Sequence, residues 1–243
     1  RRPKVVPLTH GSLGIGCHCV VSTLGLGPST VCVNVMPLFH LHGLQVNVLA
    51  TAIGGGAVVC APGFRDGSAF FSLLRPRDAE AAVSHPVPNW YSAVPTIHQE
   101  VLRYAEQHSP PHSLDLIRNC SAALAPSLSE RLEAALPGAR VLPTYAMTEA
   151  LPICSNSRDP NAPRHLGSVG PQAGPEVALM AEADGDGTAT VLLQADGNRG
   201  GSSSEGEVVV RGSCVFKGYE QRSHFGFNPN ESAFADGGWL RTG

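Results

Sequence analysis

The stretch that decides the fold is residues 89–142, NWYSAVPTIHQEVLRYAEQHSPPHSLDLIRNCSAALAPSLSERLEAALPGARVL. Asn89 to Ala93 is a short β-type run, and Pro95 to Gln107 is a predicted helix with proline at a tolerated first-turn position. Leu116 to Cys120 reads as a strand, Pro126 to Leu136 as a helix and Arg140 to Leu142 as another strand. Strands separated by helices must be joined by crossovers, so this order predicts an α/β fold with a parallel sheet. In such sheets ligands sit beyond the carboxyl ends of strands, which directs attention to the loops at Pro37, Ser121 and Tyr145.

Towards the N-terminus the alternation continues. Thr9 is placed to cap a helix over His10 to Leu24, although Gly11, Gly14 and Gly16 weaken its propensity. Thr30 to Met36 is a β-branched run stopped by Pro37, Leu44 to Ile53 a helix ended by Gly54 to Gly56, Ala57 to Cys60 a strand and Ser68 to Leu74 a helix. After about Arg158 helical periodicity disappears. Glu176 to Met180, Thr190 to Leu193 and Glu207 to Arg211 are short β runs between glycine-rich turns, as in a small antiparallel subdomain. Residues 183–187 and 197–205 are rich in Gly, Asp and Ser and read as one long hairpin loop; Asp184 and Asp186 lack the other ligands of a calcium loop.

Composition narrows the function. Charged residues are 15% of the 243, against roughly 25% in an average soluble domain. A net charge of −3 supplies no broad basic face, which argues against nucleic-acid binding. Seven scattered cysteines form no CxxC pair, which fits a reducing compartment; Cys17 and Cys19, flanking His18, would splay around a helix and read as core or surface positions. No run of about 18 apolar residues spans a membrane. Arg1, Arg2, Pro3 and Lys4 lead into no signal-peptide core, and the missing initiator Met implies a chain that begins inside a longer one.

Chemistry gathers at Tyr145 to Ala150, YAMTEA, which places an aromatic ring, a hydroxyl and a carboxylate within five residues of one another after a buried strand. Read in isolation, it is a polar loop followed by a capped helix. Four other segments change that reading: RPKVVPLTH (Arg2 to His10), PLFHLHG (Pro37 to Gly43), EGEVVVRGSCVFKGY (Glu205 to Tyr219) and WLRTG (Trp239 to Gly243). In this order, with YAMTE between the second and third, they resemble the signatures of the superfamily of acyl-CoA synthetases, firefly-type luciferases and nonribosomal-peptide adenylation domains. Ala146 replaces the usual glycine of Y-G-x-T-E, and Val5 replaces the glycine that follows the phosphate-loop lysine.

The resemblance implies a fold and a set of roles. Residues 1–158 would be the α/β nucleotide-binding core, 159–225 the β subdomain, and 226–243 a segment leading to a hinge and a C-terminal domain absent from this sequence, as is the ribose-binding aspartate expected after Gly243. A polypeptide ending there is expected not to make acyl-AMP. Lys4 would sit on the phosphates of ATP, Tyr145 would stack on adenine, Thr148 would bind phosphate, and Glu149 would hold Mg2+. Ser121, Ala122, Ala123, Ala146 and Met147 would line the nucleotide side, with coenzyme A as the thiol acceptor.

The runs FHLHGL, WYSAVPTIHQ, RNCSAALAP and YAMTEA further resemble the oxalate-CoA ligases of plants and fungi, a peroxisomal or cytosolic branch. His40, His42 and Ser121 would then face the acyl group, donors suited to a small dianion. Leu151 and Pro152 stand where that branch carries a hydroxyl residue and a histidine, so another short acid is the alternative. The HxH pair could instead be half of a metal site, His42 the first residue of a helix, Ser121 the end of a strand and His98 a structural residue. A different acyl acceptor, such as a carrier-protein thiol, and a non-catalytic nucleotide-binding remnant complete the alternatives.

Overall fold

The computed structural model describes residues 4–74, 86–180, 191–194, 205–221, 226 and 228–243. They fall into two compact units, Cys17–Tyr145 with Ser155–Gly170, and Arg1–Gly16 with Ala146–Cys154 and Pro171–Gly243. The units interleave along the chain, whereas the sequence placed linear boundaries at 158 and 225.

The first unit is built on parallel strands in the order β2-β1-β3-β4-β5. These are β1 (Val31–Asn34), β2 (Ala57–Cys60), β3 (Trp90–Ala93), β4 (Leu116–Asn119) and β5 (Arg140–Met147). Every residue of β1, β3 and β4 is buried, which is why they read as continuous runs with little alternation. Register aligns Trp90 with Leu116 and Leu116 with Arg140, so these strands release their loops at one end of the sheet.

Helices cover the sheet. α1 (His10–Leu24) starts as expected at Thr9, whose hydroxyl accepts from Ser12 N at 3.0 Å while Ser12 Oγ accepts from Thr9 N at 3.1 Å, a reciprocal cap. The expected helix Leu44–Ile53 is instead a π-helix over His42–Ala50, continued by one α-turn, α2 (Thr51–Ile53). Its start is crowded: a Cβ on Gly43 would lie 2.4 Å from the carbonyl oxygen of Pro37. α3 (Gly67–Leu73) is capped by Asp66, whose carboxylate accepts from Ala69 N at 2.7 Å. α4 (Pro95–His108) buries His98, Val101, Leu102 and Ala105, one stripe at three- and four-residue spacing, and ends at Ser109 in the left-handed conformation. α5 (Pro126–Ala135) buries Leu128 and Leu132.

The core joins Phe70 and Phe71 of α3, Tyr91 of β3, Val101 and Leu102 of α4, Ile117 of β4 and Leu132 of α5. Burial of each large apolar side chain contributes about 1.5–3 kcal/mol. Glu133 on α5 accepts from Val141 N at 2.8 Å and pairs with Arg164, which also donates to the Val141 carbonyl at 2.7 Å, pinning the start of β5.

In the second unit β6 (Ala150–Ser155) supplies Ala150, which bridges to Val215, and Cys154, which bridges to Gln172. A separate antiparallel sheet runs β10-β11-β9-β7-β8, from β7 (Glu176–Met180), β8 (Val191–Gln194), β9 (Glu207–Arg211), β10 (Phe234–Ala235) and β11 (Trp239–Arg241). Ala178, Met180, Val209 and Trp239 form its core. Residues 226–243, expected as a segment leading to a hinge and a C-terminal domain, include two strands of this sheet. Residues 183–187 and 197–204, with Asp184 and Asp186, lie outside the described residues. Among the described residues no helix is long and apolar enough to cross a membrane.

Candidate active site

At the carboxyl end of the parallel sheet the first feature is a loop held by amides. Asn34, the last residue of β1, accepts from Met36 N and donates to the Met36 carbonyl, both at 3.1 Å. Asn47 donates to Asn34 Oδ1 at 2.9 Å and to the Ser92 carbonyl at 3.1 Å, tying the π-helix to β1 and β3. This fixes residues 37–42. His40 is exposed, and its Nδ1 accepts from His42 N at 3.1 Å. His42 opens the π-helix with 2% of its surface exposed.

Both ring nitrogens of His42 have hydroxyl partners: Nε2 lies 2.6 Å from Ser92 Oγ and Nδ1 lies 3.3 Å from Ser121 Oγ. Burial, and then the neighbouring Arg118 charge, hold its pKa well below the ordinary histidine value, so the ring is neutral. The helix-start reading and the acyl-side reading describe different parts of this residue, its backbone and its ring. His98, also buried, bonds Tyr91 Oη through Nδ1 at 3.0 Å, and burial lowers its pKa to about 4.

Ser121 follows β4 with φ 73°, a left-handed conformation uncommon for serine. Asn119 Nδ2 donates to the Ala122 carbonyl at 2.9 Å, and Thr144 Oγ1 donates to the Asn119 carbonyl at 2.8 Å, so the loop is locked to β4 and β5. Ser121, Ala122 and Ala123 are exposed there, and half-buried Tyr145 follows Thr144 on β5.

The loop-then-helix reading of Tyr145 to Ala150 does not hold. β5 runs on through Ala146 and Met147, Thr148 and Glu149 form the turn, and β6 begins at Ala150. The Glu149 carbonyl accepts from Phe216 N at 2.8 Å, and the Val5 carbonyl accepts from Glu220 N at 3.0 Å, so residues 216–220 are tied to both segments. Tyr219 Oη donates to Glu149 Oε1 at 2.5 Å, and the Lys4 ammonium lies 4.4 Å from the centroid of the same ring. Asn230 fixes Tyr219 by accepting from its N at 2.7 Å and donating to its carbonyl at 3.0 Å.

Lys4, Glu149 and Tyr219 therefore meet in one unit, and His40, His42 and Ser121 in the other. Thr148 is exposed on the turn beside Glu149. Among the described residues no group of three or more His, Cys, Asp and Glu side chains is placed to hold a metal ion. A cation at Glu149 would take its remaining ligands from water and phosphate, a mode that suits Mg2+ and needs a single protein carboxylate.

Sequence reasoning missed Ser92, Arg118 and the role of Tyr219. Arg118 is 1% exposed and donates from Nη1 to Ser92 Oγ at 3.2 Å. An arginine inside an otherwise buried β4 was the available signal, since arginine is almost never fully buried without partners. Ser92, a small polar residue in the buried strand β3, carried a weaker one.

The chain belongs to the AMP-binding enzyme family, which matches residues 2–220. It is 38% identical to a probable CoA ligase, CCL9, of Humulus lupulus, and 37% identical to the oxalate–CoA ligase of Arabidopsis thaliana; each alignment covers 100% of this chain and 42% of the relative. The ATP-bound MatB from Rhodopseudomonas palustris superposes with a TM-score of 0.75 at 26% identity, over 100% of this chain and 42% of that one. The chain thus spans about two-fifths of the length of the relatives it matches. The fold expected from sequence, a parallel-sheet adenylate-forming domain with a smaller antiparallel β portion, is the one observed.

Proposed function

We propose that the protein carrying this chain is an ATP-dependent, AMP-forming acid–CoA ligase acting on a small carboxylic acid, oxalate foremost. The observation that carries the reading is the meeting of Lys4 and Glu149 on the Tyr219 ring, which sets a cation and an anion together as Mg2+ and triphosphate chemistry requires. A carboxylate oxygen of the acid attacks the α-phosphorus of ATP and pyrophosphate leaves. The sulfur of coenzyme A then attacks the acyl carbonyl, and AMP leaves as the new thioester forms.

Both partners in the first step are anions, so positioning and charge neutralisation do most of the work. Lys4 neutralises phosphate oxygens, Thr148 donates its hydroxyl to one, and Glu149 would hold Mg2+, which would offset the charge on the phosphates. Tyr145 stacks on adenine, while Ser121, Ala122, Ala123, Ala146 and Met147 border the nucleotide. His40, His42 and Ser121 supply the acyl side with polar groups, which favours a short, doubly charged acid over an apolar chain. We also propose a cytoplasmic or peroxisomal location, a reading that rests on the resemblance to the oxalate branch.

The test is acid-dependent ATP–pyrophosphate exchange by the complete protein over oxalate, malonate, acetate and longer acids. Oxalate should give the highest kcat/KM. A win for medium-chain or aromatic acids would overturn the oxalate assignment, and exchange with no acid would overturn the ligase reading.

A further inference from the structure

Arg118, Ser92, His42 and Ser121 form a chain of hydrogen bonds whose direction is fixed at its buried end. A guanidinium only donates, so Ser92 Oγ accepts from Arg118 Nη1. Ser92 has no exposed surface, and its hydroxyl proton needs an acceptor; the one it touches is His42 Nε2, at 2.6 Å. Were Nε2 to carry a proton instead, two donors would point at Ser92 Oγ and its own hydroxyl hydrogen would be buried without a partner. Nε2 is therefore the acceptor, and in a neutral ring Nδ1 carries the hydrogen. Nδ1–H then donates to Ser121 Oγ at 3.3 Å. With a lone pair of Ser121 occupied by that N–H, its hydroxyl hydrogen is left to a partner other than His42, and the residue is exposed.

We infer that Ser92 is a positioning residue that locks His42 in its Nδ1–H tautomer, polarised by Arg118, and so presents the Ser121 hydroxyl as a donor to an anionic group. The lock makes His42 a relay and not a general base, because the nitrogen that could accept a proton is consumed by Ser92 in the interior. Burial of His42 beside the Arg118 charge keeps the ring neutral and supports the same assignment. The tautomer follows from the hydrogen-bond geometry alone; the statement that the anion is the acid substrate rests on the function proposed above.

The experiment is ring 15N NMR of the complete protein labelled in histidine, without substrate, with the His42 resonances assigned by their loss in His42→Asn. The expected result is the Nδ1–H form, the less common one for a free imidazole side chain, retained in Ser92→Thr and lost in Ser92→Ala. An Nε2–H signal in the parent protein, which needs no variant to fold, overturns the inference; so does an Nδ1–H signal that persists in Ser92→Ala. In kinetics, Ser92→Ala should raise KM for the acid roughly tenfold with KM for ATP unchanged, and Ser92→Thr should restore it. Equal rises in both KM values overturn the positioning role. Failure of the parent protein to activate any acid would remove the proposed function and leave the tautomer result standing.

Discussion

Tyr219 donates its phenolic hydrogen to Glu149 Oε1 across 2.5 Å, and the face of the same ring carries the Lys4 ammonium at 4.4 Å. One side chain thereby holds the acid and the base that the sequence assigned to ATP. Burial, and then its bond to Glu149, raises the Tyr219 pKa well above the ordinary tyrosine value, so the hydroxyl stays a donor throughout the working pH range.

Removing that donor should be felt at Glu149. Tyr219→Phe keeps the ring under Lys4 but leaves a half-buried carboxylate short of one partner, at a cost of about 1–3 kcal/mol. Tyr219→Phe and Glu149→Gln should be non-additive in urea unfolding, with a coupling of about 0.5–3 kcal/mol. Strict additivity would separate the two residues.

Glu149→Gln preserves shape and removes charge. In the complete protein, pyrophosphate exchange should fall about a hundredfold or more. Normal exchange by this variant at low magnesium would take Glu149 out of the site.

Tyr145→Ala tests a different contact. Loss of stacking should weaken ATP binding by about 1–3 kcal/mol, read by calorimetry, with the affinity for the acid largely unchanged.

Acid should destabilise the fold through two buried histidines. His42 and His98 both have depressed native pKa values, that of His98 about 4, while the unfolded chain protonates them near the ordinary ~6.5. Below that value the unfolded state binds more protons, so stability falls with falling pH, by up to about 1.4 kcal/mol per pH unit for each residue. Urea midpoints at about pH 7, 6 and 5 should fall in that order, and less steeply in His42→Asn.

Ser121 separates stability from function. Its φ of 73° suits glycine, so Ser121→Gly should leave stability unchanged or raise it by up to about 1 kcal/mol. The same change removes the hydroxyl and should raise KM for oxalate more than for acetate, which has no second carboxylate to lose a partner. A parallel loss for both acids would remove Ser121 from the distal carboxylate.

The sequence by itself determined the parallel α/β order, because the strands and helices between His10 and Leu142 are announced by local chemistry. β1, β3 and β4 are short apolar runs, α4 carries a buried stripe behind a first-turn proline, and Thr9 caps α1. Motif order offered Lys4, Tyr145, Thr148, Glu149, His42 and Ser121 as candidates for the site. The tertiary structure decided what no local window contains. Gly43 lies against the carbonyl of Pro37 with no room for a Cβ, the helix from His42 is a π-helix, and the turn at Glu149 leads into β6 where a helix was one reading. Tyr219 reaches Glu149 over 70 positions of sequence and Ser92 reaches His42 over 50. Periodicity reports how a residue sits on its own element; hydrogen bonds between distant segments depend on how those elements pack, and they leave no periodic trace in the chain.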